Sequence, residues 1–102
     1  MAFAKTRYPF TRRMVDGAPK DLGVYVLWRG DELLYIGRAS GGASTIQSCL
    51  AEHMSGSRCA CSRAATHYTW EIALQPALRE RQLLQEARKA AGELPPCNRH
   101  SA

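Results

Sequence analysis

Apolar and polar positions settle into a rhythm at residue 23. The runs Val24-Tyr25-Val26-Leu27-Trp28 and Leu33-Leu34-Tyr35-Ile36 are β-prone, and Arg29-Gly30-Asp31-Glu32 between them holds a Gly-Asp pair with turn chemistry. They predict a hairpin. Because side chains alternate along a strand, Val24, Val26 and Trp28 share one face, with Tyr25 and Leu27 on the other. The same alternation puts Tyr35 with Leu33, opposite Leu34 and Ile36. A helix follows, opened by a capping box of Ser44 and Gln47. Its inward face is Ile46, Cys49, Leu50, His53 and Met54, at i, i+3, i+4, i+7 and i+8.

Residues 55–66 are small, polar and basic and read as a loop. The stretch 67–74 then has strand character, with Tyr68, Trp70 and Ile72 alternating with Thr69 and Glu71. Pro76 suits the first position of a second helix that stops at Gly92, with Pro95 and Pro96 beyond. Glu80, Leu83, Leu84, Ala87 and Ala91 lie on one face of it, so a carboxylate heads an apolar stripe. Residues 1–18, with Arg7, Arg12 and Arg13 but little periodicity, read as a basic arm packing on a domain that spans 19–102. The order β-β-α-β-α implies an α+β fold with three strands.

At 102 residues the chain is one domain, without an apolar run long enough to span a membrane or an N-terminal secretory h-region. These features imply a cytoplasmic protein in a reducing compartment, where the four cysteines are thiols rather than a disulfide framework. A net charge of +5 and a pI near 9.3 favour a polyanionic partner such as DNA without specifying one.

Gly23-Val24-Tyr25, then Tyr35-Ile36-Gly37 with Arg38 behind it, a helix ending Leu50-Ala51-Glu52-His53, Glu80 within Glu80-Arg81-Gln82-Leu83-Leu84, and Pro95-Pro96-Cys97-Asn98 occur in that order. Together they resemble the GIY-YIG nuclease domain over roughly residues 19 to 98, and the resemblance implies a small three-stranded antiparallel sheet flanked by helices, in agreement with the β-β-α-β-α order. The resemblance implies an endonuclease that hydrolyses DNA phosphodiester bonds with a single divalent ion, Mg²⁺ or Mn²⁺. It matches Tyr25 and Tyr35 to the motif tyrosines, as base or water positioner and as its hydrogen-bond partner. Glu80 matches the metal ligand, and Asn98 matches the terminal asparagine and is expected to bind substrate. Arg38 is expected to clamp a phosphate, and His53 to lie on the substrate side of the first helix. Where the family carries a first-helix arginine, this chain has Cys49. The alternative is therefore a degenerate copy of the fold that binds nucleic acid or a protein without cleaving. A lone catalytic domain of this size also implies a protein partner or a homodimer to supply specificity.

Plainer readings stand beside these. The tyrosines suit cross-strand aromatic packing, and Gly23 and Gly37 suit strand ends where a backbone approaches closely. Glu80 suits a helix dipole, Arg38 a solvated surface, and His53 a partly buried histidine bonded to backbone. Cys59 and Cys61, with His67 or Cys97, form a weak zinc pattern, tighter in spacing than the usual structural pairs.

Overall fold

The computed structural model describes residues 6–57 and 60–99. Four strands, β1 (Tyr8–Pro9), β2 (Gly23–Arg29), β3 (Glu32–Ala39) and β4 (His67–Ile72), form one antiparallel sheet in the order β1-β4-β2-β3. Three α-helices accompany them: α1 (Arg12–Asp16), α2 (Ile46–Ser55) and α3 (Pro76–Ala91). Two 3₁₀ turns, Ala60–Ala64 and Pro96–Asn98, complete the fold. The α+β class is as expected, but the sheet has four strands rather than three. The additional strand comes from the lead-in read as an arm. Tyr8 pairs with Tyr68, and the Phe10 amide donates to the Thr66 carbonyl at 2.9 Å, so β4 organises this segment from a distance.

The sheet carries a core on each face. On one side Tyr25, Leu27, Leu34, Tyr35 and Tyr68 pack with Val15 of α1 and with Ile46, Cys49 and Leu50 of α2. On the other Val24, Val26, Trp28 and Ile36 pack with Leu83 and Ala87 of α3. The hairpin alternation holds for β2 and is corrected in β3. The register slips between Leu27, opposite Tyr35, and Trp28, opposite Leu33, so Leu34 is the extra residue of a β-bulge. Leu33 therefore joins the α3 face with Ile36, while Leu34 and Tyr35 both face α2.

Cap chemistry shifts by one residue from the expected place. Thr45, not Ser44, is the N-cap of α2, and its capping box is closed by Ser48 rather than Gln47. Residues 60–64 of the expected loop form a 3₁₀ turn. It is tied to the second 3₁₀ turn by a Cys61–Cys97 disulfide, which corrects the expectation of reduced cysteines. That bond also removes two of the four candidate zinc ligands, and Cys59 lies outside the described residues. No helix among the described residues is long and apolar enough to cross a membrane.

Candidate functional site

The glycines that bracket the two tyrosines make the hairpin tight enough to stack them. Tyr25 and Gly37 face each other in the β2–β3 register, and a Cβ at Gly37 would lie 2.5 Å from the Tyr25 ring and hydroxyl. Only a hydrogen fits between them. Two residues before Tyr25, at the start of β2, a Cβ at Gly23 would come within 2.2 Å of the Glu71 carbonyl oxygen, so glycine there lets β4 approach. With that spacing the Tyr25 and Tyr35 ring centroids are 6.1 Å apart.

His53 completes the aromatic group from α2. Its ring lies 4.8 Å from Tyr35 and 5.5 Å from Tyr25, and its Nε2 is 2.9 Å from the Tyr25 hydroxyl. The other nitrogen, Nδ1, is 2.7 Å from Ser62 Oγ in the first 3₁₀ turn. Both ring nitrogens thus have a side-chain hydroxyl within hydrogen-bonding distance, where the sequence suggested a bond to backbone.

Exposure separates the three rings. Tyr25 is 0% exposed and His53 1%, whereas Tyr35 keeps 9% and lines a polar cleft of about 360 Å³ with Arg38, Ser40, Ser44 and Glu80. The cleft wraps the outer edge of β3. Tyr35 reaches it from the α2 side of the sheet, and Glu80 enters from α3 on the opposite side. Arg38 lies between, its Nη1 donating to Glu80 Oε1 at 2.9 Å. The arginine side chain is 49% exposed and the carboxylate 18%, so the apolar stripe of α3 does shield the acid.

Asn98 acts on the strand rather than in the cleft. Its Oδ1 accepts from the Ile36 amide and its Nδ2 donates to the Ile36 carbonyl, both at 2.9 Å. β3 is an edge strand with outward amides, and the asparagine satisfies one pair of them beside Gly37. Cys49 lies beneath the cleft floor, 1% exposed, with its Sγ 3.7 Å from the Arg38 carbonyl and 3.5 Å from Ser44 Oγ.

The structure thus brings Tyr35, Arg38 and Glu80 to one opening, sets Tyr25 and His53 behind Tyr35, and gives Asn98 an edge-strand role. Ser40, Ser44 and Ser62 carried no functional signal in the sequence. Serine is common in loops and caps, and only the fold reveals what each faces. No protein-family model and no curated protein matches the chain.

As to a metal, the described residues contain no group of three or more His, Cys, Asp or Glu side chains that could hold one. The cleft does offer one shielded carboxylate with two serine hydroxyls near it. A hard oxygen donor with room for water fits Mg²⁺, which keeps much of its hydration and takes one or two carboxylates plus substrate phosphate.

Proposed function

We propose that the domain is a GIY-YIG-like endonuclease that hydrolyses DNA phosphodiester bonds at the β3-edge cleft. The observation that carries this reading is the meeting of Tyr35, Arg38 and Glu80 at one polar opening, with Tyr25 and His53 buried directly behind the tyrosine. The residues that resemble the family motif converge in space although they come from β2, β3, α2 and α3.

Hydrolysis of a phosphodiester needs an aligned nucleophile and compensation of charge on the phosphoryl oxygens. Tyr35, the tyrosine with surface in the cleft, orients the attacking water through its hydroxyl. Tyr25 is fully buried, so the positioning role expected of it passes to Tyr35, and Tyr25 with His53 holds that ring in place. Arg38 exchanges the Glu80 carboxylate for a phosphate oxygen when substrate enters. Glu80 would hold the divalent ion, which when bound supplies Lewis-acid stabilisation of the developing charge.

A second reading is favoured by one observation, the buried Cys49 where the family carries an arginine. Without that guanidinium the same cleft binds a phosphate backbone and does not cut it. Both readings share an electrostatic surface, and its test is the salt dependence of DNA binding. Affinity should fall steeply with salt, and Arg38→Ala should weaken binding similarly across sequences while lowering the salt slope by about one unit. Salt-insensitive binding, or none, would overturn both in favour of a protein-interaction module.

A further inference from the structure

On the side of His53 away from Tyr25, the first 3₁₀ turn delivers a serine to a buried imidazole nitrogen. Ser62 is 0% exposed, and its Oγ is 2.7 Å from His53 Nδ1. The residue before it, Cys61, is bonded to Cys97, and the residue after Cys97 is Asn98, which holds Ile36 of β3. One covalent bond therefore joins two short turns, one holding His53 behind Tyr35 and the other holding the backbone of β3 at Ile36.

Two hydrogen-bond patterns are open to a neutral His53, because either ring nitrogen can carry the proton. The partner hydroxyls are not equal. A phenol, with an ordinary pKa near 10, is a much stronger acid than an aliphatic alcohol and the better donor. Tyr25 therefore donates to Nε2, and the proton on Nδ1 is donated to Ser62 Oγ. That arrangement fixes the imidazole at both ends, and the Tyr35 ring packs against it in a tilted contact with centroids 4.8 Å apart.

We propose that Ser62 is a positioning residue for the cleft: its hydroxyl fixes the tautomer and ring plane of His53, and the Cys61–Cys97 disulfide keeps Ser62 in place. The consequence for catalysis rests on the endonuclease reading above, whereas the tautomer and its anchoring do not. Exchange with an added dithiol, which itself becomes a disulfide, turns Cys61 and Cys97 into two thiols and frees the first turn from the second. Ser62 and the ring it orients then lose a shared constraint.

The test is ¹⁵N-edited NMR of the imidazole groups in the oxidised full chain near neutral pH. His53 should show a protonated Nδ1, an unprotonated Nε2 and a slowly exchanging N–H. Ser62→Ala should populate the second tautomer and speed exchange of that proton by about tenfold or more, and Ser62→Thr should restore the parent signal. The dithiol, or the paired change Cys61→Ser with Cys97→Ser, should loosen the signal in the same way. A protonated Nε2 in the parent protein overturns the assignment without needing any variant to fold. A folded Ser62→Ala with unchanged tautomer and exchange overturns the role of the serine, and an unchanged signal after reduction overturns that of the disulfide. If the parent nicks DNA, Ser62→Ala should slow it about tenfold or more and Ser62→Thr should rescue it. The expected NMR pattern in a parent that does not nick would refute the nuclease reading and uphold the positioning role.

Discussion

A methyl group at Gly37 would press on Tyr25 at 2.5 Å and on Tyr35 at 2.7 Å, well inside contact distance. Gly37→Ala should consequently displace both rings, cost about 1–3 kcal/mol in overpacking, and reduce any nicking by more than the stability loss explains. Urea midpoints set beside nicking rates would separate the two effects, and a variant as stable and active as the parent would contradict the packing. Cys49 offers the opposite experiment. Its sulfur is 3.5 Å from Ser44 Oγ, and Ser44 lines the cleft, so an arginine at 49 would reach the opening by laying its stem along apolar surface and displacing that serine. Cys49→Arg should fold and raise Mg²⁺-dependent nicking at least about tenfold, which is ~1.4 kcal/mol of barrier. A folded variant no faster than the parent would show that charge at this position is not what limits the site. At this scale the convergence of Tyr35, Arg38 and Glu80 on one opening was legible in the sequence. Their exposure was not, because a motif does not say which of two tyrosines is buried. The edge-strand role of Asn98 was hidden for a related reason, as it depends on which strand the fold leaves outermost.

Elements with strong local patterns were read well, and those held by distant partners were not. α3 runs from Pro76 to a left-handed Gly92 as its proline, apolar stripe and glycine imply. The bulge at Leu34 was invisible in a run of four apolar residues, which supports either alternation. β1 and α1 are two and five residues long, too short to show periodicity, and their order derives from β4. Tyr68 is the main tie: its ring packs with Tyr8 and Phe10, and its hydroxyl donates to the Met14 carbonyl at 2.9 Å. Burial, reinforced by repulsion from Tyr8, raises the Tyr68 pKa above its ordinary 10.0. A raised folded-state value means that stability from the neutral hydroxyl is fully present below pH 10.0 and is lost as pH rises past it toward the folded value. Tyr68→Phe should therefore be less stable than the parent at neutral pH by about 0.5–1.5 kcal/mol, with the gap narrowing above pH 10.0. Denaturant titrations at both pH values check this, and a gap that widens in alkali would contradict it.

Across the whole molecule, residues from both faces of one sheet build a polar cleft around an exposed strand edge, and the proposed function is located there. A net charge of +5 favours the approach of a polyanion, and in the proposed reading the Arg38–Glu80 pair meets it at the opening. The α+β architecture followed from the order of periodic segments. The fourth strand and the disulfide depended on pairings between residues 60 and 36 positions apart, beyond the reach of local pattern. If Glu80 in this cleft supports metal-dependent cleavage of DNA, the nicking of supercoiled plasmid must require both Mg²⁺ and that carboxylate, which a comparison of the parent with Glu80→Ala decides. The parent should nick with Mg²⁺ and not without it. Glu80→Ala should abolish nicking yet keep its fold and its salt-dependent binding, since the change removes only a half-exposed ion pair and a dipole-complementing charge worth about 0.3–1 kcal/mol. Nicking by Glu80→Ala at the parental rate, or no Mg²⁺-dependent nicking by a parent that binds DNA, would contradict the claim.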